Sequence, residues 1–180
     1  MARIILVTGG CRSGKSVHAL RLAQALDGQR AYVATCPVVD DEMRKRIANH
    51  RRQRRNWKTI EEELDLASVL RGNREYEVVI VDCLTLWVSN LMRQAEQAGR
   101  YLDEAAITRR CRALLAACRQ RRGTVIFVTN EVGAGIVPDN ALARRFRDLA
   151  GRCNQVMADG AGEVIFMVCG LPLTLKRISA

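Results

Sequence analysis

The sequence predicts an α/β fold: a mostly parallel sheet with helices on both faces and one antiparallel strand at its C-terminal edge. Three observations carry this. The runs Arg3–Thr8, Val78–Asp82 and Thr124–Thr129 are continuous, apolar and β-branched, as strands buried on both faces are. Helix-forming stretches separate them, which is the order of parallel strands joined by crossovers. Between the first run and the first helical stretch lies Gly-Gly-Cys-Arg-Ser-Gly-Lys-Ser, residues 9–16, a complete G-x-x-x-x-G-K-[ST] phosphate-binding loop.

Each element follows from local sequence. Arg3–Thr8 is a strand feeding the loop, and Val17–Leu26 is a helix leaving it. Arg30–Thr35 reads as a second strand. Asp40–Arg55 reads as a charged helix with Met43 and Ile47 one turn apart. Trp57–Ile60 suits a short extended piece. Glu61–Leu70 is read as helical from the spacing of Leu64, Ala67 and Leu70. Val78–Asp82 is a central strand ending in a carboxylate. Leu84–Gln97 and Asp103–Arg121 are helices, and Gly123 punctuates before the strand Thr124–Thr129. Asn140–Met157 is a helix with Leu142, Phe146, Leu149 and Val156 on one side. Glu163–Cys169 is a further strand, and Gly170-Leu-Pro172 turns the chain into Leu173–Ile178, an edge strand. No repeat, linker or low-complexity segment interrupts the 180 residues, so one domain spanning 1–180 is expected.

Composition narrows the function. No apolar run approaches the roughly 20 residues of a membrane span. The N-terminal apolar stretch is too short for a signal peptide, and a cytoplasmic enzyme is expected. The seven cysteines are odd in number and form no Cys-x-x-Cys pair, which argues against a disulfide framework or structural zinc. Cys11 and Cys36 are expected near the phosphates. The net charge of +10 comes from 25 arginines against four lysines. Aromatic residues make up only 4% of the chain, too few for single-strand stacking platforms. Polyphosphate substrates and solvated helix faces are therefore favoured over a nucleic-acid partner.

The chemistry is expected beyond the carboxyl ends of the strands, where Thr8, Thr35, Asp82 and Thr129 converge. In the loop Gly9, Gly10, Cys11, Arg12, Ser13, Gly14, Lys15 and Ser16, glycines let N–H groups turn onto phosphates. Lys15 reaches the β/γ-phosphates, and the helix N-terminus adds its positive end. Ser16 and Asp82, the latter in a Walker-B position, are the expected Mg²⁺ ligands. Of two histidines, His18 reads as packed or solvated. His50 lies among the arginines of residues 46–55, where an imidazole could attack phosphorus. Taken locally, a surface histidine on a basic helix is the plainer reading of it. Thr129–Pro138 leaves a strand end carrying Asn130, Glu131, two glycines and a proline, which suggests substrate contacts or a hinge.

Several longer blocks accompany these features: residues 6–16, Asp-Asp-Glu-Met (40–43), Arg46-Ile47 with His50-Arg51, Trp57 with Thr59, Glu61 and Glu62, Val-Asp-Cys-Leu-Thr-Leu-Trp (81–87), residues 129–138, and residues 143–155. Together they resemble the bifunctional adenosylcobinamide kinase/adenosylcobinamide-phosphate guanylyltransferase family of cobalamin biosynthesis, over nearly the whole chain. The resemblance implies a RecA-like phosphate-loop NTPase fold and a homotrimer. It implies phosphorylation of the aminopropanol hydroxyl of adenosylcobinamide by ATP or GTP. It also implies transfer of GMP from GTP, through a guanylyl-histidine, to the resulting phosphate. His50 matches the guanylylated position, with Lys15 and Asp82 the other catalytic residues. Ala34, Thr35, Cys36, Arg51, Arg52, Gln53, Arg54, Glu62 and Leu84 would line the guanine nucleotide site. Asn49 stands where some relatives carry a second histidine. Asn56 and Glu63 stand where many carry proline.

Overall fold

Side-chain alternation along the central strands decides where the helices sit. In the computed structural model, which describes residues 1–37 and 56–178, Ile4 and Leu6 of β1 (Arg3–Gly9) face one side of the sheet, and Ile5 and Val7 face the other. The same division holds for Val79/Val81 against Val78/Ile80 in β4 (Val78–Asp82). It holds again for Val125/Phe127 against Ile126/Val128 in β5 (Thr124–Val128). A strand that is apolar on both faces can be buried only under two layers.

On one face lie α2 (Leu66–Gly72), α3 (Leu84–Gln97), α4 (Glu104–Arg119) and α5 (Ala141–Gly160), contributing Leu66, Trp87, Ile107, Leu114, Leu149 and Met157 to a single core. The opposite face is packed by α1 (Lys15–Gln24) through Ala19, Leu20 and Ala23. The sheet is completed by β2 (Arg30–Ala34), β3 (Lys58–Glu61), β6 (Glu163–Val168) and β7 (Leu171–Arg177), in the order β3-β2-β4-β5-β1-β6-β7. All neighbours are parallel except β6 and β7. The α/β fold with an antiparallel C-terminal edge strand is the one the sequence predicts.

Local departures have local causes. The predicted helix over Glu61–Leu70 begins only at Leu66. Glu61 pairs with Ala34 as the end of β3. The Glu62 carboxylate then accepts the N–H groups of Leu64 and Asp65, at 2.8 and 2.9 Å, and holds a turn. Asp65 caps α2 by accepting from Ser68 N–H. The extended piece at Trp57–Ile60 becomes β3, a strand in register with β2. In α5, Phe146, Leu149 and Val156 pack as expected, but Leu142 stays exposed. The charged helix expected over Asp40–Arg55 lies entirely outside the described residues. All seven cysteines are free thiols.

The arginine surplus has structural uses. Arg30 donates to the carbonyls of Ala23, Gln24 and Leu26 at the end of α1. Arg121 donates to those of Leu70, Asn73 and Tyr76 behind α2. Arg144 holds the carbonyls of Pro138 and Asp139, and Arg145 stacks on Tyr101. Helix C-termini leave carbonyls without partners, and a guanidinium satisfies two or three at once.

Glu163, at the start of β6, is buried between Arg3 and Arg177, with Arg177 Nη2 at 2.6 Å. Burial alone would raise its pKa, but the bonds from Arg177 and Arg3 outweigh it and hold the carboxyl below its ordinary range. A depressed carboxylate stabilises the fold above its unfolded pKa, and that contribution is lost as pH falls through the folded value. The thermal midpoint should therefore fall on acidification below about pH 4.5, the ordinary carboxyl value. In Glu163→Gln this component of the pH dependence should be missing. At neutral pH the variant should be about 1–3 kcal/mol less stable by denaturant titration.

Candidate active site

The phosphate loop is built by its glycines. Gly9 has φ +146°, and a Cβ there would stand 2.3 Å from the carbonyl oxygen of Met167. The loop can lie against β6 only because that side chain is missing. Gly14 has φ +94° and is the N-cap of α1, whose first bond runs from His18 N–H to Gly14 O at 2.9 Å. The β6–β7 turn braces the loop from outside, Gly170 N–H donating to Ser13 O at 3.2 Å. Cys11 and Arg12 are exposed at the loop's crest.

Lys15 is buried, and its ammonium donates to Gly10 O and Ser13 Oγ inside the loop. Burial lowers its pKa, opposed by the negative charge of Asp82. Asp82 follows Val78 and Ile80 on the α1 face of the sheet. Tyr32, from the adjacent β2 and on the same face, donates its hydroxyl to Asp82 Oδ2 at 2.8 Å. This orienting bond joins residues 50 apart, and nothing local in the sequence announces it.

Ser16 lies at the start of α1, half-buried. A hydroxyl, a carboxylate and the oxygens of a triphosphate are a hard oxygen set. Mg²⁺ takes such a set, usually through one or two protein groups with phosphates and waters. The donors present fit that ion, with Tyr32 holding the carboxylate.

A buried polar network fixes the strand ends beside the loop. Thr35 Oγ1 accepts Cys83 N–H at 2.7 Å and donates to Cys83 O at 2.8 Å. Asn90 Nδ2 donates to Thr35 O at 2.8 Å. Thr129 Oγ1 contacts Thr85 Oγ1 at 3.2 Å and donates to Asn154 Oδ1 at 2.7 Å. Asn130 N–H donates to Thr85 Oγ1 at 2.7 Å, and Asn154 Nδ2 to Asn130 O at 3.0 Å. Glu131 N–H then donates to Gly9 O at 3.0 Å. The chain leaving β5 is thereby tied directly to the first residue of the phosphate loop. Asn154 and Asn90, interior to helices, escaped sequence reading because their partners are remote.

The sequence-predicted nucleotide contacts divide. Ala34 and Cys36 are half-buried at the end of β2, beside Asp82 in register. Thr35 and Leu84 are fully buried, the first committed to Cys83 and the second to the helical core. Glu62 holds its turn at the end of β3. His18 is half-buried on α1, its pKa lowered by burial first and Arg21 second, with Glu163 opposing. His50, Arg51, Arg52, Gln53 and Arg54 lie outside the described residues.

A family described as "Cobinamide kinase / cobinamide phosphate guanyltransferase" matches residues 5–175. The bifunctional adenosylcobalamin biosynthesis protein CobU of Escherichia coli (strain K12) is 42% identical over 184 residues, covering 96% of this chain and 99% of that protein. The protein of the same name from Salmonella typhimurium (strain LT2) is 41% identical over the same coverage. The bifunctional adenosylcobalamin biosynthesis protein CobP of Pseudomonas aeruginosa (strain PAO1) is 42% identical, over 95% of this chain and 96% of that protein. Matched along nearly its whole length, the chain belongs to the cobinamide kinase/cobinamide phosphate guanyltransferase family and is an enzyme of both transfers in cobalamin biosynthesis.

Proposed function

We propose that one phosphate-loop site serves both reactions: phosphorylation of adenosylcobinamide by ATP or GTP, and transfer of GMP from GTP to adenosylcobinamide phosphate through a covalent intermediate on His50. The observation that carries the reading is the meeting of Lys15, Asp82 and the Gly9–Glu131 bond at adjacent strand ends. Such a meeting supports a reading in which triphosphate, metal ligand and substrate loop act together. Mg²⁺ held by Ser16 and Asp82 would offset charge on the phosphates. Lys15 and the loop N–H groups bind and orient the triphosphate tail. Residues 34–36, 51–54, Glu62 and Leu84 border the guanine nucleotide, Thr35 and Leu84 by fixing backbone. Incubation with α-labelled GTP followed by denaturing electrophoresis tests the covalent step. A labelled band is expected, and its absence with active kinase would leave a kinase alone.

The enzyme works in the cytoplasm, where both triphosphates are supplied, and assembles as a homotrimer. Supporting assembly, β7 is an edge strand with exposed Leu171 and Leu173, opposite Val168 and Phe166 on one face. Uncovered apolar edges invite pairing unless another surface protects them. Sedimentation equilibrium should give three times the 20.1 kDa chain mass. A fully active monomer at all concentrations would contradict it.

A further inference from the structure

The connection from β5 to α5, residues 129–140, is fastened at both ends and apolar at its tip. At its base, Asn130 is held by Thr85 and Asn154, and Glu131 N–H by Gly9 O. At its far end, Arg144 donates to the carbonyls of Pro138 and Asp139, and Asn140 caps α5 by accepting Ala143 N–H at 2.7 Å. Between these anchors Ile136 is 96% exposed and Val137 57%, with Leu142 of the first helical turn equally open. Three large apolar side chains in water on an anchored loop mark a binding surface rather than a slack segment. Glu131 follows β5, the strand between those that end in Asp82 and in the phosphate loop, and its half-buried carboxylate accepts Gly133 N–H at 3.1 Å.

We propose that this loop is the acceptor-binding element: Ile136, Val137 and Leu142 dock an apolar face of the corrinoid macrocycle, and Glu131 takes the hydroxyl of its aminopropanol arm. This rests on the kinase reading of the same site. The five residue steps from Glu131 to Ile136 span at most about 18 Å. One end of the element therefore stays at the phosphates while the other meets a bulky body on a tethered arm. A single loop thus joins a residue whose backbone is tied to Gly9 of the phosphate loop to an exposed apolar tip. In the transfer, the hydroxyl oxygen forms a bond to the terminal phosphorus. The bond from that phosphorus to its bridging oxygen breaks, and the electron pair leaves with the nucleoside diphosphate. The hydroxyl proton passes to the Glu131 carboxylate.

Two variants of the full-length enzyme test this, with cobinamide and ATP as substrates and α-labelled GTP as an independent probe. Ile136→Ser/Val137→Ser should raise KM for cobinamide roughly tenfold or more with kcat nearly kept, since an apolar contact of about 1.4 kcal/mol is tenfold. Covalent labelling by GTP and the sedimentation mass should stay as in wild type, which shows that the variant is folded. Glu131→Gln keeps an acceptor for Gly133 N–H. It should lower kinase kcat by about 10²-fold or more at unchanged KM, with GTP labelling intact. Unchanged KM in the first variant, or unchanged kcat in the second, overturns the assignment while leaving the family reading standing. A fall in sedimentation mass in the first variant overturns it in favour of a subunit contact. Wild-type protein that does not phosphorylate cobinamide at all removes both.

Discussion

Lys15→Ala should reduce triphosphate-dependent turnover by at least about 10²- to 10³-fold, the loss seen when one preorganised charge-stabilising donor is removed. The ammonium is buried within the loop, beside Asp82 and bonded to Gly10 O and Ser13 Oγ. Phosphoryl transfer depends on positioning and on offsetting charge along the phosphates, and no other described lysine is near enough to substitute: the other two are Lys58 on β3 and Lys176, which holds the carbonyls at the end of α5. In the function proposed above the same loop holds the tail of GTP, so guanylyl transfer should fall with the kinase. Steady-state rates for both reactions, alongside a thermal midpoint close to wild type, check this. Wild-type turnover would remove the phosphate loop from the mechanism.

His50→Ala should separate the two activities. An imidazole attacking the α-phosphorus of GTP displaces pyrophosphate and leaves a phosphoramidate, a bond labile in acid and persistent in base. In the function proposed above, phosphoryl transfer draws on the loop and the acceptor hydroxyl and not on His50, so a substantial part of the kinase activity should survive. Guanylyl transfer should be lost, because position 49 is asparagine and His18 lies half-buried on α1, outside the arginine-rich segment. The measurement is retention of label from α-labelled GTP after denaturation, with its acid lability compared in the two proteins. Label at wild-type yield on the His50→Ala chain would sink the assignment.

What the sequence disclosed and what it hid follow from the range of the interactions. Strands buried on both faces need continuous apolar residues, so β1, β4 and β5 were legible within their own few residues. The phosphate loop is equally local: Gly9, Gly14 and Lys15 act within one turn of chain. The start of α2 was misread because Glu62 and Asp65 spend their carboxylates on neighbouring N–H groups, a competition that apolar spacing does not register. Leu142 fits the apolar side of α5 by periodicity yet lies beyond the reach of the core. The Tyr32–Asp82 bond and the Thr85–Thr129–Asn154 network join remote segments, so they emerge only once the sheet order is known.

The guanidinium that holds three carbonyls behind α2 gives this protein a built-in gauge of its own opening. Arg121 is 4% exposed, whereas arginines such as Arg109 and Arg112 lie on the surface. A dicarbonyl reagent modifies the surface arginines at once but can reach Arg121 only when the packing around α2, β4 and α4 parts. The slow appearance of the modified Arg121 peptide in a mass spectrum would count those openings, and their free energy follows from the ratio of its rate to that of an exposed arginine. Nucleotide that binds the closed form should slow that one peptide without protecting the surface arginines remote from the site.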